Sequence, residues 1–367
     1  MAKGRTFDTS DIIHPGYLLG MELKARGISQ KNFAAQIAIQ QSHLSEIIKG
    51  KRNITDQLAE KLEEVLGSSS EHWVKMQAEY GYKKKLAEQK NVEDRDAEAM
   101  LVEYDKIYDM RTIFCYVGIV SRSASERLDF CTNSLNFVSP TKQRQQVRGC
   151  FHRSEKTGLD TRMIATWAVL AKYEASLRPA PEGVFDKGKM DSLSYELRVI
   201  FTENNNTINR VERKLSEYGI KFCIVPKVKQ ASIDGYSFFT DDGKTPAIVI
   251  TKRFNKIDNA AFAVMHEIGH LKLHSQKDDG GNINLAYADE ELVTTEERAA
   301  NEFAANALIP DAIWNNAPRV TMNPYIIQKE YSNWAKMNGL NKWIVLGRVS
   351  HETGMYMFKS DKSREIN

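Results

Sequence analysis

Between Asp258 and His274 the chain reads as one amphipathic helix, with Asp258 placed to cap it and Ala261, Phe262, Met265, Ile268 and Leu271 recurring at helical spacing. That helix carries His266-Glu267-Ile268-Gly269-His270. Two histidines four apart stand one turn from each other on one face, so both imidazoles can meet a single tetrahedral zinc ion. Glu267 stands beside that face. A carboxylate there can act as general base on a water whose pKa the ion lowers to about 7, and can return the proton to a leaving amine. The same five residues also arise by chance, as a surface helix with two titratable histidines. His274 extends the series but lies about 12 Å from His266 along a straight helix, too far for both to bond one ion at about 2 Å. Gln276 stands where the metzincin spacing requires a histidine, which excludes that class. A third ligand must come from elsewhere in the chain.

A second helix runs from Thr294 to Ala305, and its alanines permit close packing against the first. Glu296 and Glu297 are its candidate ligands. Thr294 and Glu297 also have capping-box spacing, in which the carboxylate serves its own helix terminus. Asn301, one turn after Glu297, can orient one of the two histidines from behind. Upstream, Phe222–Val225 and Ala247–Ile250 are short β-branched runs bounded by Pro226 and Pro246, and read as strands. They form a small sheet under the metal helix, with Ser237 to Asp242 as a neighbouring loop. An edge of such a sheet can hold an extended peptide by main-chain pairing.

With 367 residues the chain exceeds what one core usually supports, so two or three domains are expected. From Pro15 short helices alternate with tight turns: Tyr17–Leu23, then a helix capped by Ser29 with Phe33, Ala34 and Ile37 on one face, then Gln41–Lys49 ending at Gly50. Thr55 opens a helix through Leu58, Leu62 and Leu66, and Ser70 another containing Trp73, Met76 and Tyr80. The third segment buries Leu44, Ile47 and Ile48. It turns polar side chains outward. Gln30, Gln40, Gln41, Ser42, His43 and Ser45 suit base edges, and Lys49, Lys51 and Arg52 suit phosphates, if this helix enters a major groove. A plain helical bundle with a solvated polar face is the alternative. The formal charge of +3 implies no nucleic-acid binding by itself, so a DNA reading rests on this local pattern.

The charged residues 83–96 read as a solvated helix or linker, and 97–190 as a helical middle region that spaces the two ends or mediates self-association. It contains no catalytic constellation. His152 and Arg153 within it can touch a phosphate or peptide, though a surface role suits them better. The four cysteines form no CxxC pair, which fits reduced structural thiols and a cytoplasmic protein. No apolar run approaches the roughly 18 residues of a membrane span, so no membrane partner is expected.

Residues 14–82 resemble the HigA-like antitoxin repressors of the XRE-type helix-turn-helix class. They share His14-Pro15-Gly16, Ser29-Gln30, the run LSEIIKGKRNIT from Leu44 to Thr55, and an ending built on Trp73, Gln77 and Tyr80. The resemblance implies a homodimer on a palindromic operator, and departs at Gln40-Gln41, where smaller residues are usual. Residues 195–351 resemble the ImmA/IrrE family of gluzincin-type metallopeptidases, which cleave repressors. The match includes KRFNKIDNAAFAVMHEIGHLKLH, EERAANEFAANALIP and WAKMNGLNKWIVLGRVSHE. It implies Zn2+ held by His266, His270 and Glu297, with Glu267 as base and Asn301 behind the ligands. His351, close to Arg348 in sequence, is a candidate donor to a tetrahedral oxyanion, or else a surface histidine.

The expected fold is thus α+β and mostly helical: a five-helix bundle at 1–82, a charged linker at 83–96, a helical region at 97–190, and a gluzincin-like domain with a small sheet at 191–367. The expected function is a DNA-binding regulator whose zinc endopeptidase domain cleaves a repressor, a toxin partner or its own chain. The alternatives are a DNA-binding antitoxin or repressor with a structural or sensory zinc site, and a toxin-binding scaffold without DNA affinity.

Overall fold

The structure is a computed structural model that describes residues 13–146, 160–229, 233–240, 242–251, 255–273, 285–287, 295–319 and 323–367. Cys150, His152, Arg153, His274 and Thr294 lie outside the described residues. Two compact units divide the chain, Met1–Ala99 and Met100–Asn367.

Among the described residues five helices begin in the first unit: α1 (Pro15–Ala25), α2 (Gln30–Gln36), α3 (Gln41–Ile48), α4 (Asp56–Leu66) and α5 (Ser70–Asp105). Their starts follow from local chemistry. The His14 ring accepts the Gly16 N–H, Ser29 the Asn32 N–H and Thr55 the Leu58 N–H, each satisfying a donor that the first helical turn leaves over. Leu19, Phe33, Leu44, Ile47, Leu62 and Trp73 meet in one core. The start of α1 sits directly on the end of α3, since a Cβ at Gly16 would lie 1.8 Å from the Ile47 carbonyl oxygen. Only glycine allows that approach.

The stretch 83–96, read from its charge as a linker or solvated helix, lies inside α5. This helix runs unbroken for 36 residues, about 54 Å, and the division between the units falls within it after Ala99. Residues 83–96 contain neither Gly nor Pro and are mostly Lys, Glu, Gln, Ala and Leu, so helix propensity carries the segment without a buried face.

The second unit opens with α6 (Met110–Val117), α7 (Ala124–Asn133), α8 (Pro140–Gln146) and α9 (Thr161–Leu177). It continues through α10 (Met190–Glu203), α11 (Thr207–Glu217), β1 (Lys221–Val225), β2 (Ile233–Phe239), β3 (Pro246–Thr251) and α12 (Ile257–Leu273). It ends with β4 (Leu285–Tyr287), α13 (Thr295–Leu308), α14 (Asp311–Trp314), α15 (Pro324–Met337) and α16 (Lys342–Thr353). The sheet has the order β1-β3-β2-β4. β1 runs parallel to β3 with Cys223 beside Val249, while β2 runs antiparallel to both β3 and β4. Every residue of β3 is buried, as in a strand covered on both faces, and α9 and α12 both pack on the sheet. The helical middle region therefore contributes α9 to the same unit as the sheet.

Two local expectations are corrected. Ser237, Phe238 and Phe239, assigned to a loop, are the last residues of β2, paired with Ile248, Ala247 and Pro246. The aromatic residues around Ser237 favour a strand, and the turn starts only after Phe239. Asp258 lies in the first turn of α12 rather than before it, where Arg364 grips its carboxylate with two N–H donors at 3.1 and 2.7 Å. Beside this pair, the Ile366 N–H bonds the Asn255 carbonyl at 2.8 Å, so the last residues of the chain hold the start of α12 in place. No helix among the described residues is long and apolar enough to cross a membrane.

Candidate metal centre and DNA-facing helix

The metal helix α12 is buried along nearly its whole length, which requires a close neighbour on its polar face as well. That neighbour is α13. At the crossing a Cβ on Gly269 would stand 3.1 Å from the Ala300 Cα, so small residues on both helices set the separation. Glu297 and Asn301, one turn apart on α13, then face His266 and His270.

The Nε2 atoms of His266 and His270 are 2.9 Å apart, and the Glu297 oxygens lie 3.2 Å from the first and 3.4 Å from the second. A tetrahedral ion bonded at about 2.0–2.1 Å separates its ligands by about 3.3 Å, close to these three distances. One ligand atom from each of the three residues falls within 4.8 Å of the others, and this is the group among the described residues with such a geometry. Asn301 Oδ1 lies 2.8 Å from His266 Nδ1. An amide oxygen there accepts the Nδ1 proton and leaves the Nε2 lone pair turned towards Glu297. The donor set of two imidazole nitrogens and one carboxylate is one that zinc takes in hydrolytic sites, so the residues present fit that ion.

Charge within the cluster is coupled. Burial alone would raise the Glu297 pKa, but hydrogen bonds with both histidines hold its carboxyl down at about 2. Burial works against a charged His266, yet the bond to Glu297 and the charges of Glu267 and Glu297 outweigh it and raise its pKa. Glu267 has no exposed surface, and burial pushes its carboxyl up, offset only in part by the neighbouring imidazoles and by Ser237. A carboxyl raised in this way is the better matched to taking and returning a proton near neutrality.

The carboxyl of Glu267 rests against β2. A Cβ at Gly235 would come 2.5 Å from its Oε1 and 3.0 Å from its Cγ, and Ser237, two residues on along the same strand face, is 2% exposed. The sequence reading missed Gly235 and Ser237. The available signal was the glycine itself, since glycine inside a strand often marks a close approach by another group.

His351 is exposed in the last turn of α16 and is not among the three clustered residues. Arg348 is committed elsewhere: it donates to the Ile309 carbonyl at 3.0 Å, pairs with Asp311 and Glu352, and stacks on Trp314. In the first unit Leu44 and Ile47 are fully buried, Ile48 is half-buried, and α3 turns its other side outward. Gln30, Gln40, Gln41, Ser42, Lys49, Lys51 and Arg52 are exposed, while His43 and Ser45 are half-buried. The Arg52 guanidinium pairs with Glu46 at 2.5 Å.

Comparison with known proteins follows the division into two units. Residues 19–73 match the helix-turn-helix family, and residues 216–332 match the peptidase M78 family, described as the IrrE N-terminal-like domain. The chain is 38% identical over 68 residues to virulence-associated protein A' of Dichelobacter nodosus, covering 18% of this chain and 59% of that relative. It thus spans less than two thirds of that protein's length. Virulence-associated protein I of the same organism is 36% identical over 78 residues, covering 21% of this chain and 70% of the relative. Among solved structures, an addiction module antidote protein of a HigA family from Coxiella burnetii is 32% identical, covering 21% of this chain and 84% of that chain, with a TM-score of 0.20.

Proposed function

We propose, from amino-terminal residues that match the helix-turn-helix family and carboxy-terminal residues that match the IrrE N-terminal-like peptidase family, a DNA-bound regulator that acts as a zinc-dependent endopeptidase on a regulatory protein. The observation that carries the reading is the convergence of His266, His270 and Glu297 beside a buried Glu267. Bound there, zinc would act as a Lewis acid on a peptide carbonyl and lower the pKa of water. His266 and His270 would hold it through Nε2, Glu297 through a carboxylate kept ionised, and Asn301 fixes the His266 tautomer. Glu267 takes the proton from the attacking water and delivers it to the leaving amine. α3 enters the major groove of an operator, with a homodimer matching the symmetry of the site. The protein cleaved is a repressor, a toxin partner or the chain itself.

The test compares wild type, Glu267→Gln and Glu297→Ala expressed in cells, with zinc per chain measured by elemental mass spectrometry and new protein N-termini mapped by terminal-peptide mass spectrometry. About one zinc in wild type and Glu267→Gln, lost in Glu297→Ala, together with new N-termini in wild type alone, is the expected result. Zinc retained with no Glu267-dependent cleavage under any stress condition would replace the peptidase reading with a structural or sensory metal site.

A further inference from the structure

The three consecutive lysines of α5 have no role in either site described above. Their position follows from how α5 is anchored. The Gln77 side-chain oxygen accepts the Ile54 N–H at 2.9 Å, which ties α5 to the turn after α3. One helical step further, the Tyr80 ring meets the His14 ring edge-on at 4.6 Å. His14 in turn lies against Gly50, where an added Cβ would stand 3.3 Å from the imidazole. Gln77, Tyr80 and Lys84 share one stripe of α5, so the stripe that grips residues 50–54 leads to Lys84. The charge of Lys84 acts on His14.

Lys83 and Lys85 flank that stripe, and all three lysines are exposed, as are Lys49 and Lys51 on the turn below. Among the described residues none of these five lysines pairs with a carboxylate, although Glu79 and Glu88 stand one turn from Lys83 and Lys84. Glu46, the acid on α3, is taken up by Arg52. The remaining acidic residues of the first unit's helices lie on α1 as Glu22, on α4 as Asp56, Glu60, Glu63 and Glu64, and along α5 as Glu71, Glu79, Glu88, Glu93, Asp94, Asp96 and Glu98. Lys49 and Lys51 stand just past the end of α3, and exposed ammonium groups complement the phosphate ribbon of a duplex, which carries one charge per about 1.7 Å of axis.

We propose that Lys84, with Lys83 and Lys85 about 100° to either side of it, adds phosphate contacts that extend those of Lys49 and Lys51 on the same DNA duplex. The inference rests on the DNA-binding reading of α3. It assigns to the start of the long helix a share in binding strength and none in sequence choice, because ammonium groups read phosphate and not base edges.

The experiment uses the full chain and a fluorescent duplex of about 30 base pairs of mixed sequence, with anisotropy titrations across a range of salt. Variants are Lys83→Ala/Lys84→Ala/Lys85→Ala, the corresponding triple arginine, and Lys49→Ala/Lys51→Ala. Alanine and arginine both preserve helix propensity, so α5 stays intact. Removing one phosphate-bound lysine should lower the slope of log affinity against log salt by about 0.9, hence by about 0.9–1.8 for the alanine triple, since Lys83 and Lys85 point about 200° apart and do not both face one phosphate ribbon. The arginine triple should restore it. If the alanine triple binds like wild type while Lys49→Ala/Lys51→Ala is weakened, the three lysines are a solvated stretch of helix and the proposal is overturned with the DNA reading intact. If wild type itself binds no duplex, or binds single-stranded RNA of the same length better, both readings fail.

Discussion

Replacing Asn301 by alanine removes the group that holds the His266 Nδ1 proton, whose acceptor oxygen now lies 2.8 Å away. In the free protein His266 can then rotate or place its proton on Nε2, and binding zinc must reverse that change. Losing an orienting partner behind a ligand typically lowers metal affinity 10- to 100-fold, or about 1.4–2.7 kcal/mol. A value near the upper part of that range is expected, because His266 is 4% exposed and no solvent reaches Nδ1 freely to substitute. Asn301→Asp should bind at least as tightly as wild type, since a carboxylate accepts the same proton more strongly. Competition between each purified protein and a fluorescent zinc chelator at fixed pH measures the ratio directly, with Glu297→Ala as the reference for loss of a ligand. The reasoning is wrong if Asn301→Ala binds within threefold of wild type. It is also wrong if the alanine and aspartate variants weaken equally, which would trace the effect to packing between α12 and α13.

Two further predictions concern positions outside the ligand set. Gly235→Ala should leave zinc content unchanged yet reduce Glu267-dependent cleavage at least about tenfold, because the new methyl falls 2.5 Å from the Glu267 Oε1 and a crowded buried carboxyl must shift at a cost of about 1–3 kcal/mol; wild-type turnover in that variant would reject the contact. The pKa of His14 is lowered below its usual 6.5, chiefly by burial and further by the charge of Lys84, against a hydrogen bond that the ring donates to Asn53. The unfolded chain therefore takes up the proton first as pH falls, so the amino-terminal unit should be fully stable above about pH 6.5 and lose stability progressively below it. His14→Asn keeps a capping acceptor without a titration, and its thermal transition should lose part of that dependence; identical pH profiles for the two proteins would contradict the assignment.

What the sequence determined is what short spacings determine. Two histidines four apart on an apolar-patterned helix define a metal-binding face, and a glutamate between them defines a base, before any tertiary contact is known. Ser29 and Thr55 start their helices for reasons contained within three residues. The composition of 83–96 was legible as solvated, and its continuity within α5 follows from the lack of a breaker. Glu297 was assigned by resemblance, because Glu296 stands beside it and spacing does not separate the two. Only the packing of α12 on α13 turns Glu297 towards the histidines and leaves Glu296 exposed. Gly16 and Gly235 look alike in a sequence, yet one admits the Ile47 carbonyl and the other the Glu267 carboxyl. The difference lies in which distant element arrives at each. A local pattern sets what a helix or strand can present, while the depth and partners of a buried group depend on contacts between segments far apart in the chain, and those exist only once the core has closed.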